Sequence, residues 1–303
     1  MFSILIPSFN NIDYLKTCIR SIQKNSKYNH QIIVHINEGT DGTLQFVKKN
    51  NLEYTFSNKN IGMPKALNKS SLLAKHNYIL ISHDDFYYCP GWDIEFINEL
   101  SLYKHNNFYL SGIMIETGHP MVSQKKISPP FFNAGHSIET FDENKLLNNL
   151  DKIKTFNFQG STKCPGLVHK DVWEKVGGWS EEFSPTGGDD SDFAMKLWEI
   201  NIRIFKGLGN CSVYHFGSIT TRKKNKKLFT YLGSRGNKIF LKKWNISINF
   251  FEKFYLRSGL DHNKSLIFRE YDGPLDDPNK NIFYYCELFK NKLQKLYLIL
   301  TRF

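Results

Sequence analysis

The stretch Ile79-Leu80-Ile81-Ser82-His83-Asp84-Asp85-Phe86 decides how this chain is read. An apolar run breaks off in two adjacent carboxylates, as it would if a buried strand delivered both acids to one edge of a sheet. In open α/β sheets, ligands gather at the carboxyl ends of strands, where the strand order reverses. Hard oxygen donors at such a point suit Mg²⁺ or Mn²⁺ bridging to a phosphate. Two aspartates after a strand are also ordinary turn chemistry, so the pair needs support from its surroundings.

Upstream, Phe2 to Pro7 has the composition of a first buried strand. Residues 11–25 then place Ile12, Leu15, Ile19 and Ile22 at three- and four-residue steps, the spacing of an amphipathic helix. Strands are expected at 31–36, 52–56 and 77–82, with helices at 44–49 and 63–75 and Pro64 tolerated in a first helical turn. This β-α-β-α rhythm predicts a doubly wound, mostly parallel sheet. Downstream, helices are expected at 92–103, 139–150, 170–176 and 191–200, and strands at 108–115, 164–168, 202–206 and 211–214. The aperiodic stretch 117–136 is long enough to predict a functional or mobile loop. Helical patterns recur at 228–244, 249–258 and 282–300. No GxGxxG or P-loop pattern is present.

Charge is unevenly placed. Residues 218–303 hold 18 Lys and Arg against 7 Asp and Glu, whereas residues 1–217 hold 22 of each, so the whole net charge of +11 lies in the tail. Such a tail implies an anionic partner (a membrane surface, a pyrophosphate or nucleic acid) or simply a solvated basic surface. Leu293, Leu296, Tyr297 and Leu300 form an apolar stripe among Lys290, Lys292 and Lys295. A helix of this kind can lie in a membrane interface or pack on the body of its own chain. Five scattered cysteines without a CxxC pair fit reduced thiols in a cytoplasmic protein. Neither a secretory signal nor a membrane-spanning run is expected.

Six motifs, in order, resemble glycosyltransferase family 2, the inverting nucleotide-sugar transferases of GT-A fold. Ile4-Leu5-Ile6-Pro7-Ser8-Phe9-Asn10 is similar to the family's opening strand, and Asn37-Glu38-Gly39-Thr40-Asp41-Gly42-Thr43 to its acidic turn. Asn60, Gly62, Lys65, Ala66 and Asn68 follow its Asn-x-Gly helix opening, and Ser82-His83-Asp84-Asp85 occupies the place of its DxD signature. Gly177-Gly178-Trp179 with Asp189-Asp190-Ser191-Asp192, and then His215-Phe216-Gly217-Ser218, resemble its acceptor motifs and its strand-end histidine. Three departures stand out: Ser82 replaces the first DxD aspartate, Asn37-Glu38 replaces a more usual pair of aspartates, and Asp189 stands where Glu is common.

The resemblance implies an α/β, GT-A type (Rossmann-like) mostly parallel mixed sheet flanked by helices, with a basic C-terminal helical extension. Residues 1–217 would form the catalytic domain, with 1–116 binding the nucleotide sugar and 117–217 the acceptor, and 218–303 the extension. It places Pro7, Ser8, Phe9, Glu38, Asn60, Gly62, Lys65, Ser82 and Asp84 at the nucleoside-diphosphate sugar, with Glu38 on the base or ribose. Mn²⁺ or Mg²⁺ would be held by Asp84, Asp85 and, if strand 211–214 ends beside strand 77–82, by His215. Inversion requires a base for the acceptor hydroxyl, and Asp190 is the expected one. Asp189 and Asp192 are the expected helix caps. Basic residues 222–227 could close over the diphosphate or be a plain surface loop. Trp92, Trp173, Trp179 and Trp198 could stack on sugars, with core packing the default.

The expected partners are therefore a nucleotide-sugar donor, a glycan or lipid-linked acceptor in surface glycan or polysaccharide synthesis, and an anionic membrane surface. The expected location is the cytoplasm or the inner face of a membrane. Nucleic acid is the disfavoured partner; it would require steep salt dependence without a metal. Competing readings are a metal-dependent nucleotidylyltransferase and a non-catalytic glycan-binding relative of the same fold.

Overall fold

Apolar strands set the architecture. In a computed structural model, which describes residues 1–117, 130–217, 226–258 and 269–301, the first half alternates strand and helix as expected. The order is β1 (Ser3–Phe9), α1 (Ile12–Asn25), β2 (Gln31–Asn37), α2 (Thr43–Lys49), β3 (Glu53–Ser57), α3 (Met63–Ser71) and β4 (Tyr78–Ile81). A short β5 (Phe86–Tyr88), α4 (Trp92–Leu100) and β6 (Phe108–Glu116) follow, then α5 (Glu143–Leu147), α6 (Leu150–Ile153), β7 (Phe158–Gln159), β8 (Gly166–His169) and α7 (Lys170–Val176). The chain continues through α8 (Asp189–Glu199), β9 (Ile204–His215), α9 (Lys226–Trp244), α10 (Ile248–Phe250) running into a π-helical turn at 251–256, and α11 (Ile282–Leu300).

The strands form one mixed sheet in the order β3-β2-β1-β4-β8-β6-β9-β5, with β7 pairing β9 off this path. The N-terminal side, β3-β2-β1-β4, is wholly parallel, and β8 enters antiparallel to both β4 and β6. Parallel strands buried on both faces need near-continuous apolar runs, and Ile4-Leu5-Ile6, Ile33-Val34 and Ile79-Leu80-Ile81 are fully buried. All four tryptophans proposed for sugar stacking are buried in the same core.

Two expectations change in detail. The strands expected at 202–206 and 211–214 are one strand, β9. The glycines between them mark close crossings, not a turn: a Cβ on Gly207 would lie 2.0 Å from the Phe158 ring, and one on Gly209 would lie 2.1 Å from the Thr155 carbonyl. The helix expected at 139–150 is instead a 3₁₀ turn at 138–140 followed by α5 and α6. This region packs with β5 and the end of β9 in a small second cluster containing Tyr87, Leu146, Ile153 and Tyr214. Most of the stretch 117–136 lies outside the described residues.

The main core runs on through Phe240, Phe250, Phe251 and Leu256. Helix α9 is pinned by charge as well as packing. Arg235 donates to the carbonyls of Ser184 (3.0 Å) and Glu182 (2.9 Å), and Lys243 pairs with buried Asp192 at 2.9 Å. Part of the tail's basic excess is thus spent inside the molecule.

Candidate active site

The carboxyl ends of β1 and β4 open onto a cleft of about 280 Å³ lined by Pro7, Ser8, Phe9, Asn37, Asn60, Gly62, Met63, His83, Asp84 and Asp85, with Pro185, Thr186, Leu228 and Leu232 facing them. Strand β1 delivers its residues because Ser3, Ile4 and Leu5 pair in register with Ile79, Leu80 and Ile81 of β4. The N-terminus of α3 reaches the cleft through Asn60, whose side chain accepts from the Gly62 N–H at 2.9 Å, while the Met63 N–H donates to Pro185 O at 2.8 Å.

Asp84 and Asp85 are 7% and 5% exposed and diverge. Asp84 Oδ2 accepts from Ser8 Oγ at 2.8 Å. Asp85 turns the other way, 3.5 Å from His215 Nε2 and 3.9 Å from His83 Nδ1. Burial, then the neighbouring Asp85 charge, holds the Asp84 carboxyl well above the usual carboxylate range. Burial lowers His83 to about 4. For His215 burial acts in the same sense, but the charges of Asp85 and Glu116 override it and raise the ring to about 10.

His83, Asp85 and His215 each present a ligand atom within 4.8 Å of the others. His215 Nδ1 is tied to Glu116 Oε1 at 2.9 Å, leaving Nε2 directed at Asp85. Carboxylate backing of a histidine is the usual outer support of a metal-bound ring. Two imidazoles with a carboxylate fit a divalent cation such as Mn²⁺, with Asp84 adjacent. His215 reaches Asp85 through β5 rather than beside β4, because Phe86 stands opposite His215 in the β5–β9 ladder.

Other expected residues are placed as follows. Ser82 is fully buried and its hydroxyl accepts from Tyr88 Oη at 2.8 Å, so it packs beneath the cleft instead of lining it. Glu38 has a positive φ of 62° and accepts from the Asn60 N–H at 3.3 Å and from Asn10 Nδ2 at 3.4 Å, so it braces two loop ends at the rim. Lys65 follows in the first turns of α3 and does not line the cleft. Of the basic loop 222–227, residues 222–225, like Ser218, lie outside the described residues.

Helix α8 presents three aspartates in its first turn. Asp189 accepts from the Gly187 N–H at 3.0 Å, and burial together with Asp190 raises its carboxyl. Asp192 is fully buried and accepts from Trp244 Nε1 at 2.7 Å. Asp190 differs: its side chain is 26% exposed, and Oδ2 accepts from Lys163 Nζ at 2.6 Å. Burial pushes its carboxyl up, but Lys163 and the Ser191 N–H outweigh that and hold it below the ordinary range. Asp190 is not among the residues that line the cleft, and its charge acts on His83 at the cleft wall. Sequence reasoning missed His83 as a candidate ligand, and also Glu116, Lys163 and the leucines of α9. Only His83 had a local signal, its place beside the two acids.

A Rossmann-like half-sheet with carboxylates gathered at its strand ends is the arrangement of the GT-A fold. The family model described as glycosyl transferase family 2 matches residues 3–161. The chain belongs to glycosyl transferase family 2. No curated protein matches its sequence. Among solved structures it is similar to S. aureus TarS residues 1–349, with a TM-score of 0.54 and 15% identity over 84% of this chain and 72% of that one. The same TarS fragment in complex with UDP-GlcNAc gives 0.51 and 16% over 84% and 73%. GalNAc-T7 with UDP, GalNAc and Mn²⁺ gives 0.53 and 11% over 84% and 52%. At these identities the likeness is one of fold.

Proposed function

We propose that this protein is an inverting, metal-dependent glycosyltransferase that moves a sugar from a nucleoside-diphosphate donor to an acceptor hydroxyl. The observation that carries the reading is the divergence of Asp84 and Asp85 at one cleft, one bonded to Ser8 of β1 and the other facing two histidines. The fold it shares with UDP-bound TarS and with Mn²⁺- and UDP-bound GalNAc-T7 supports it. Pro7, Ser8, Phe9, Asn60 and Gly62 would receive the nucleotide, with Glu38 bracing the rim. A divalent cation held by Asp85, His83 and His215, beside Asp84, would supply Lewis-acid relief of charge on the leaving diphosphate.

In transfer, the acceptor oxygen attacks the anomeric carbon as the bond to the diphosphate oxygen breaks, and that oxygen keeps the electron pair. The acceptor proton passes to Asp190. A base held ionised by Lys163 is available for that proton at neutral pH. Surface glycan or polysaccharide synthesis, with a glycan or lipid-linked acceptor and a position at the inner face of a membrane, completes the proposal.

The test is a panel of UDP-, GDP- and dTDP-sugars, screened with and without Mn²⁺ and Mg²⁺ for release of nucleoside diphosphate, with the product's anomeric configuration read by NMR. Metal-dependent release with inversion is expected. A retained configuration overturns the role of Asp190. Pyrophosphate release from a nucleoside triphosphate and a sugar phosphate would move the protein to the nucleotidylyltransferases. Binding of glycan with no turnover of any donor would make it a non-catalytic relative.

A further inference from the structure

Of the eighteen large apolar side chains exposed among the described residues, nine lie on α11. They are arranged by the helix. Tyr284, Asn291 and Leu298, seven residues apart, are its buried line. Tyr284 packs on the rings of Phe250 and Phe254, and Asn291 accepts from the Ser247 N–H. Lys295 joins this docking face, donating to the Lys242 carbonyl at 3.1 Å. Two positions along an α-helix is about 200° around it, so Ile282, Phe289 and Leu296 form a second seven-residue line on the opposite face. Leu293 and Leu300 lie alongside them. Exposure on this outward face runs from 51% at Leu293 to 73% at Leu300. The helix is therefore anchored by a mixed stripe while its more apolar stripe faces away from the protein. Soluble monomers rarely expose contiguous apolar patches beyond a few hundred Å² unless the patch meets a partner.

Charge selects the partner. Lys290 follows Phe289 and Lys292 precedes Leu293, so exposed lysines edge the apolar stripe on both sides. Glu287, the one acidic residue of α11, pairs with Lys290 at 2.8 Å. A second copy docked about a two-fold axis through this stripe would set the same lysines against each other. An anionic lipid surface suits the pattern instead: the apolar stripe enters the acyl boundary while the lysines reach sideways to phosphate groups. Among the described residues no helix is long and apolar enough to cross a membrane, so the helix would lie in the interface plane.

We propose that the outward face of α11 is the docking surface of this protein for an anionic lipid bilayer. The docking face gives a structural basis to the membrane position proposed above and rests on that part of the reading alone, since none of these residues lines the cleft. The test is co-sedimentation of the full chain with vesicles of phosphatidylcholine alone and of phosphatidylcholine mixed with phosphatidylglycerol. The chain is expected to pellet with the mixed vesicles, less so at high salt. The combined variant Phe289→Ser, Leu293→Ser, Leu296→Ser should lose partitioning by about a hundred-fold or more. Lys290→Gln with Lys292→Gln should lose about ten-fold, on the anionic vesicles alone. All changes are at exposed positions, so thermal unfolding should match the parent. No pelleting of the parent chain overturns the proposal, as does pelleting that both variants leave intact. So does a dimer seen by sedimentation velocity and abolished by the serine variant, which would make the occupant a second copy.

Discussion

Lys163 Nζ lies 2.6 Å from Asp190 Oδ2, joining the loop before β8 to the first turn of α8. The pair is not a deep structural bridge, because the lysine side chain remains 53% exposed. Its position distinguishes Asp190 from Asp189 and Asp192, whose carboxylates are committed to the Gly187 N–H and to Trp244.

Asp190→Asn keeps the size of the side chain but cannot accept a proton. Transfer should fall by about 10²–10⁴-fold, with donor affinity unchanged. Asp192→Asn should act on stability instead, because Asp192 is fully buried and loses its charge against Lys243, which keeps Glu182 as a partner; the expected loss is about 1.5–3 kcal/mol. Rates, donor titration and urea unfolding of both variants make the check. A near-normal rate for Asp190→Asn would assign the base elsewhere.

Lys163→Met removes the charge that holds Asp190 low. A carboxylate without that partner takes up its proton at higher pH, so the acid limb of the kcat/KM profile should move to higher pH while the alkaline side stays in place. The pH–rate profile of the variant against the parent is the measurement. An unmoved acid limb would mean that Asp190 does not titrate in catalysis.

Asp85→Ala removes the carboxylate that faces both histidines. Binding of Mn²⁺, and of donor in its presence, should weaken by about a hundred-fold or more, and His83→Ala should also weaken it, by about 10–100-fold. Calorimetry on variants with an unchanged melting transition tests this. Unaltered Mn²⁺ affinity in folded Asp85→Ala would remove the metal site from this cluster.

Helix α9 offers a paired test of how the cleft wall is seated. A Cβ on Gly233 would meet nothing within 4 Å, whereas one on Gly236 would lie 1.9 Å from the Gly187 carbonyl oxygen. Gly→Ala in a helix interior ordinarily stabilises by about 1 kcal/mol. Gly233→Ala should show that gain, and Gly236→Ala should reverse its sign, pushing α9 away from residues 187–188 and weakening donor binding. Equal stabilities for the two variants would contradict the close helix–loop contact.

Sequence alone determined the parts of this protein that depend on local pattern. Ile4-Leu5-Ile6, Ile33-Val34 and Ile79-Leu80-Ile81 are apolar runs between helical periodicities, and a parallel half-sheet with acids at its β4 end follows from them. The α11 stripe was equally legible, since Leu293, Leu296, Tyr297 and Leu300 keep their spacing whatever they meet. Tertiary structure alone decided what those patterns touch. His215 meets Asp85 because β9 returns beside β5, a strand of three residues too short to leave a periodic signal. Glu116 meets His215, and Lys163 meets Asp190, across 99 and 27 residues of chain. Gly207 and Gly209 carry the composition of a break, yet lie within β9 because neighbouring chain passes where a side chain would be. The outward turn of the α11 stripe depended on which line of the helix Phe250 and Phe254 would hold. Periodicity is a property of neighbours along the chain, whereas ligand sets, ion pairs and exposed faces come from segments brought together by strand order and close packing.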